Sequence, residues 1–190
     1  MNLYKIIGKR IFDILICVIL IVLLSPVFIL VSILIYAEKR GPILFFQKRV
    51  GKNTEEFFII KFRSMPVETE SLASDQLPES KLSRIGSFIR RTNIDELPQI
   101  FNVLLNDMSI VGPRPSLSSQ KKLIEIRKLN GSINCIPGIT GLAQVNSYDG
   151  MVVEKKAELD GIYAKKISFF YDIKIILKTF LYLLKPPPKY

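Results

Sequence analysis

Apolar residues are distributed along this chain in three distinct patterns. In the first, residues 14–37 read ILICVILIVLLSPVFILVSILIYA, 24 positions without a charge. About 20 apolar residues span the hydrocarbon core of a bilayer, so this run is long enough to be a membrane segment. Glu38-Lys39-Arg40 follows it instead of a small-residue cleavage site, which argues against a removed signal peptide. Ser25-Pro26 stands at its centre. Proline removes a helix hydrogen bond and clashes with the preceding turn, so it kinks or breaks the helix, and a Ser hydroxyl can satisfy the freed backbone group. Lys5, Lys9 and Arg10 precede the run; Lys39, Arg40, Lys48 and Arg49 follow it. Positive residues mark the cytoplasmic side of a membrane, and here both flanks carry them. A helix broken midway with two basic ends reads as a re-entrant hairpin, each half about 18 Å long at about 1.5 Å per residue. Charge and proline alone leave a straight spanning helix equally open.

The second pattern is short. Residues 43–65 hold two apolar strand-like runs joined by Gly51-Lys52-Asn53, which predicts a β-hairpin. The third pattern is helical. Phe170, Ile173, Leu177, Phe180, Leu181 and Leu184 recur at three- and four-residue spacing, with Lys165, Lys166, Lys174, Lys178 and Lys185 on the polar side. That is an amphipathic helix suited to an anionic lipid interface or to the core, ended by Pro186-Pro187-Pro188. Between these, residues 66–83 are polar and proline-containing, a solvated loop or a lid. Further helices are predicted from about residue 95 to 105, over 121–129 and over 154–164. The fold class is therefore α+β and mostly helical. Residues 1–40 hold the membrane helix, re-entrant or spanning, and residues 41–190 the domain that ends in the amphipathic helix, all one structural unit.

Charge and composition narrow the chemistry. Lys and Arg number 27 against 17 acidic residues, a net charge of +10. Such an excess points to an anionic partner: nucleic acid, an acidic membrane surface or phosphorylated substrates. The basic residues are dispersed and no nucleic-acid-binding motif is present, which speaks against nucleic acid. There is no His, which excludes Ser-His-Asp and Cys-His chemistry and the common imidazole metal sites. Cys17 and Cys135 are too few and too far apart in sequence for a disulfide framework or zinc site. Acid–base or nucleophilic work falls to carboxylates, Lys, Tyr or Ser.

One stretch carries a candidate constellation. Lys61-Phe62-Arg63 and Arg90-Arg91 are basic clusters, and the second comes just before Asn93-Ile94-Asp95-Glu96-Leu97-Pro98. Downstream, Gly112-Pro113-Arg114-Pro115 holds an Arg in a stiff turn. Arg offers planar paired donors matched to phosphate oxygens. With Asp95 as helix cap, Pro98 falls in the first turn, where its missing N–H costs little, so position favours a capping Asp95 over a catalytic one. A carboxylate at a helix start near several Arg would also stay ionised, bind Mg²⁺ or attack phosphorus, and the two roles are compatible.

Over nearly its whole length the chain resembles the bacterial sugar transferases, also called monotopic phosphoglycosyl transferases or polyprenyl glycosylphosphotransferases, in their small stand-alone form. The resemblance rests on Lys9-Arg10-Ile11-Phe12-Asp13, Ser25-Pro26, Phe46-Gln47-Lys48-Arg49-Val50-Gly51, Lys61-Phe62-Arg63-Ser64-Met65 and Asp95-Glu96-Leu97-Pro98-Gln99. It continues through Val111-Gly112-Pro113-Arg114-Pro115, Pro137-Gly138-Ile139-Thr140-Gly141 and Ala143-Gln144-Val145-Asn146. It implies a re-entrant helix broken at Ser25-Pro26 in the bacterial inner membrane, with the active site on the cytoplasmic face. It implies that Asp95 of the Asp95–Glu96 dyad attacks a UDP-sugar, forms a covalent phosphosugar-enzyme and releases UMP. Undecaprenyl phosphate then accepts the phosphosugar, beginning a surface glycan such as O-antigen or capsule. Mg²⁺ is implied as cofactor, with Asp95 as its ligand. Neutralising a diphosphate ahead of carboxylate attack calls for cationic clamps, a role for Arg90 and Arg114, with Lys61 and Arg63 behind them. Gln144 is expected to line the pocket with Pro113, while Asp160 and Asp172 fit a structural role equally well. Two positions depart from the family: Tyr148 stands where many members carry an anion-binding Arg, and Asn93 where Ser is common. The sugar, the glycan pathway and any homo-oligomer are left open. The competing reading is a membrane-anchored basic module that binds anionic lipid or nucleic acid without catalysis.

Overall fold

The computed structural model of the chain describes residues 3–38, 41–65, 83–146 and 151–184. The polar stretch at residues 66–82, Tyr148 and the prolines at 186–188 lie outside them.

The apolar run forms one long helix. A π-helical turn, Tyr4–Gly8, leads into α1, Lys9–Ala37, which passes through Pro26 without interruption. The break expected at Ser25-Pro26 is not seen; the helix is continuous there. Proline leaves the Val22 carbonyl without its usual donor, and Ser25 Oγ donates to that carbonyl at 2.9 Å, so the lost bond is replaced locally. At about 1.5 Å per residue α1 is roughly 44 Å long, more than a bilayer core. Much of its surface is uncovered: Leu15, Val18, Ile19, Val22, Leu23 and Ile33 are all more than half exposed.

The expected hairpin is present. β1 (Leu44–Val50) pairs antiparallel with β2 (Glu56–Phe62), Gln47 opposite Ile59. The link at Lys52–Thr54 is a short 3₁₀ turn in which Asn53 and Thr54 both have positive φ. A helix not read from the sequence follows the undescribed stretch: α2, Arg84–Arg91, capped by Ser83, whose hydroxyl accepts from the Gly86 N–H at 2.8 Å.

The helix expected from residue 95 divides in two. A 3₁₀ turn, Ile94–Glu96, is followed by α3, Gln99–Leu104. Asp95 therefore does not cap a helix: it lies inside the turn, and α3 starts after Pro98 with no side-chain cap. The rest is α4 (Lys121–Asn130), α5 (Leu142–Asn146), α6 (Val153–Lys166) and α7 (Phe169–Leu183), plus a parallel pair, β3 (Ser109–Val111) beside β4 (Gly138–Thr140). In α7, Asp172 and Ile175 turn inward while Phe170, Leu177, Phe180 and Leu181 stay exposed.

The core gathers Ile59 of β2, Ile100 and Val103 of α3, Met108, Val111 of β3, Tyr163 of α6, Ile175 of α7 and Cys17 of α1. Burial of such side chains from water is the main source of cohesion. The anchor helix thus belongs to the same core as the strands, and it is tied at both ends. Near its start, Arg10 donates to the Val103 and Leu104 carbonyls at 2.5 and 2.9 Å, and Asp13 Oδ1 accepts from the Ile110 N–H at 3.1 Å. Near its end, Phe28 packs edge-on against Phe101, Val31 and Ile35 join Phe62 and Ile89, and Ser83 donates to Glu38 Oε2 at 2.9 Å.

Candidate active site

Asp95 and Glu96 are placed by a sharp change of direction. α2 ends at Arg91, and Asn93 turns the chain with a left-handed backbone, φ 56°. Asn adopts this conformation more readily than most residues. The following 3₁₀ turn carries both carboxylates and brings that of Glu96 to the end of β2 and the turn after β3.

Glu96 is fully engaged. Lys61 Nζ, at the end of β2, lies 2.8 Å from Oε1, and Arg114 grips the carboxylate with both terminal nitrogens, Nη1 at 3.0 Å from Oε2 and Nη2 on Oε1. Such paired charge-assisted bonds are the strong kind. Burial alone would raise the acid's pKa, but Arg114 and then Lys61 outweigh it and hold Glu96 well below the ordinary glutamate value. Asp95 is different. It is buried and makes no ion pair or side-chain hydrogen bond among the described residues. Burial first and the Glu96 charge second push it up to about 7, against the pull of Lys61, Arg114 and Arg90. One carboxylate is consumed by cations; its neighbour is left available to a ligand.

The other expected residues divide. Arg90, in the last turn of α2, acts electrostatically on Asp95 and donates to Met65 Sδ at 3.7 Å. Arg63 turns elsewhere, donating from Nε to the Pro42 carbonyl at 2.9 Å and stacking over Phe45. The Pro113 carbonyl accepts from the Gly138 N–H at 2.9 Å, which makes Pro113 part of the frame beneath Arg114. Gln144 lies beside that frame with both amide atoms buried and without a partner among the described residues; the amide atoms of Gln99, in α3, are likewise buried and without such a partner.

Arg127 has no role in the sequence reading, yet it supports the site. Its guanidinium, almost wholly buried, binds Asp160 Oδ2 through Nε at 2.9 Å and Nη2 at 2.6 Å, and donates from Nη1 to the Arg114 carbonyl at 3.0 Å. Nothing in sequence separation hints that residue 127 holds residue 114; a charged pair on two predicted helices is ordinarily a solvated one.

Three glycines explain the stiffness of the Arg114 turn. A Cβ on Gly138 would stand 2.0 Å from the Gly112 nitrogen, and one on Gly141 would stand 2.0 Å from the Gly112 carbonyl oxygen. The crossing of β3 and β4 is therefore closed to any side chain, and the Gly112 N–H bonds the Thr140 carbonyl at 2.8 Å.

One turn thus presents a cation-locked and an available carboxylate amid Lys61, Arg90 and Arg114, cations whose planar or point donors match phosphate oxygens. Residues 4–186 match the bacterial sugar transferases, and the chain belongs to that family. It is 40% identical over 184 residues to an undecaprenyl-phosphate glucose phosphotransferase of Komagataeibacter xylinus, covering 90% of this chain and 35% of that protein. It is also 40% identical over 180 residues to a UDP-N-acetylgalactosamine-undecaprenyl-phosphate N-acetylgalactosaminephosphotransferase of Aeromonas hydrophila, covering 90% of this chain and 42% of that protein. An uncharacterized sugar transferase of Bacillus subtilis (strain 168) matches at 40% over 172 residues, 90% of this chain and 84% of that one. The chain thus spans about two fifths of the length of the first two and most of the third.

Proposed function

We propose that this chain transfers a phosphosugar from a UDP-sugar to undecaprenyl phosphate through a covalent intermediate on Asp95, releasing UMP and beginning a surface glycan. The observation that carries the proposal is the division of labour in the dyad. Glu96 is committed to Arg114 and Lys61, so it organises cations, while Asp95 keeps a carboxylate free of ion pairs beside them. In the first half-reaction an Asp95 oxygen attacks the sugar-bearing phosphorus, and the bridging P–O bond breaks with its electron pair retained by UMP. In the second, an anionic oxygen of the lipid phosphate attacks the same phosphorus and Asp95 leaves as a carboxylate. Arg114, Lys61 and Arg90 offset the charge that builds up on the phosphoryl oxygens. Relatives that act on undecaprenyl phosphate and on a UDP-sugar, by their names, support both substrates.

The site suits Mg²⁺. No group of three or more Asp, Glu, Cys or His that could hold a metal exists among the described residues, so a protein cage is not what is offered. Mg²⁺ is commonly held by one or two carboxylates together with substrate phosphates, and Asp95 is a carboxylate of that kind. When bound, the ion would neutralise phosphate charge that repels the nucleophile.

The monotopic placement belongs to the same proposal. A helix with both ends packed against one domain keeps those ends on one side of a membrane, which we take as the cytoplasmic face of the inner membrane; α1 then lies in that leaflet, with Ser25-Pro26 at its deepest point. No observation favours a basic module without chemistry. The test is direct: the purified chain with Mg²⁺, UDP-sugars and polyprenyl phosphate should release UMP. A quenched reaction with labelled donor should leave phosphosugar on Asp95, and Asp95→Asn should abolish both while remaining folded. Release of UDP, or full activity in that variant, would sink the scheme.

A further inference from the structure

Arg49, at the end of β1, has no part in the transfer described above. Its Nη2 donates to Gln47 Oε1 at 2.6 Å, while its Nε is shut away from solvent with no partner among the described residues. A buried guanidinium N–H without an acceptor is costly to keep. The adjacent bridge, Val50 N–H to Ser116 carbonyl at 2.8 Å, ties this end of β1 to the chain just past Arg114. Arg49 therefore lies within electrostatic reach of Arg114 and Glu96.

Lys156, on α6, completes the group. It is half-buried, makes no ion pair with a carboxylate among the described residues, and feels Arg114, Arg127 and Arg49. Burial first, and then these like charges, disfavour its protonated form. The nearby carboxylates are already taken: Glu96 by Arg114 and Lys61, Asp160 by Arg127. Two cations are thus left over in a place that water reaches poorly, an arrangement that an incoming anion relieves. Their position is informative as well. The Val50–Ser116 bridge sets Arg49 beside the chain that follows Arg114, and Arg127, which holds the Arg114 carbonyl, binds Asp160 one turn along α6 from Lys156.

We propose that Arg49 and Lys156 form a second phosphate subsite, beside the Arg114 turn. It holds the phosphate that leaves in the first half-reaction and the lipid phosphate that enters in the second. This rests on the covalent scheme above. In-line displacement at phosphorus puts entering and leaving oxygens on opposite sides, so with Asp95 as first nucleophile and then leaving group, UMP and acceptor phosphate share one location. As the bridging P–O bond breaks, negative charge grows on the departing phosphate, and Arg49 and Lys156 stabilise it there.

The two half-reactions are separable in the full chain with Mg²⁺. Exchange of labelled UMP into UDP-sugar without acceptor reads the first; the polyprenyl phosphate KM reads the second. In Arg49→Ala and Lys156→Met, exchange should fall and the acceptor KM should rise, each by roughly 10- to 100-fold. Inhibition by UMP should weaken in parallel, with the thermal midpoint unchanged and part of the loss recovered in Arg49→Lys. Wild-type behaviour in both half-reactions, or a change confined to one of them, would overturn the shared subsite. If the unaltered protein itself shows no exchange, it is the covalent scheme that fails. Calorimetric binding of UMP then decides the subsite separately: weaker binding in the two variants supports it, and equal binding rejects it.

Discussion

Asp95 and Glu96 share one short turn, yet their surroundings drive their titration in opposite directions. Neighbouring carboxylates repel, so cations that stabilise one of them raise the other unless they reach both. Here Arg114 and Lys61 bond Glu96 alone, and Asp95 receives their field only at a distance. Removing Arg114 leaves a buried anion with a single partner. Arg114→Ala is expected to lower turnover by about 100-fold, measured as UMP release, and a Lys61→Met, Arg114→Ala pair should cost less than the sum of its parts because both cations serve one acid. The pH dependence has a definite sign. Glu96 is depressed in the folded protein below its ordinary value of 4.5, so its contribution to stability is complete above that pH and is lost as pH falls through the folded value. Denaturant midpoints recorded between pH 6 and pH 3, about the range this linkage covers, should fall more steeply in the wild type than in Glu96→Gln.

At the level of elements, two junctions position the chemistry. The first is the crossing of β3 and β4, where Gly112, Gly138 and Gly141 let backbones meet without side chains between them. Gly138→Ala forces a Cβ into the Gly112 nitrogen, and no flexible side chain is there to give way. A loss of about 3 kcal/mol in unfolding free energy is expected, together with most of the activity, since Arg114 follows Gly112 by two residues. The second junction is Asp172 on α7, wholly buried, which accepts from Tyr4 Oη and Lys9 Nζ at 2.7 Å each and from Tyr163 Oη at 2.9 Å. It joins the anchor helix to α6 and α7 in one network. Asp172→Ala strands a buried ammonium and two hydroxyls, and unfolding in detergent should show about 3–5 kcal/mol less stability. An unchanged melting curve would remove this network from the account of how anchor and domain are held together.

For the molecule as a whole, the question is how a roughly 44 Å apolar helix sits relative to its domain. Pinned through Arg10 and Asp13 at one end and Phe28, Val31 and Ile35 at the other, α1 keeps its outer apolar stripe exposed, which in the proposed placement faces lipid. Phe170, Leu177, Phe180 and Leu181 of α7 are exposed as well, and in that placement they would meet the same interface. In oriented vesicles, single cysteines introduced at Leu3 and at Lys155 should react with an impermeant thiol reagent from the same side. Labelling from opposite sides would mean that the helix crosses the bilayer and that the domain contacts at its two ends do not persist there.

The chain by itself reveals those features that depend on neighbouring residues. A charge-free run of 24 positions, the two short apolar runs on either side of Gly51 and the three-and-four spacing in α7 are each local patterns, and all three appear as elements. The order of short motifs likewise made the family readable. Local signals misled where long-range contacts compete with them. Asp95 looked like a helix cap because Pro98 follows at the right distance, but the left-handed Asn93 and the pull of Lys61 and Arg114 put it in a turn of its own. Pro26 looked like a break, yet Ser25 repairs the ladder. The parallel β3–β4 pair, the hold of Arg127 on the Arg114 carbonyl and the isolation of Arg63 at Pro42 join residues between 13 and about 30 positions apart. No periodicity records such pairings. Packing and the demand that buried charges find partners choose them once the chain is compact.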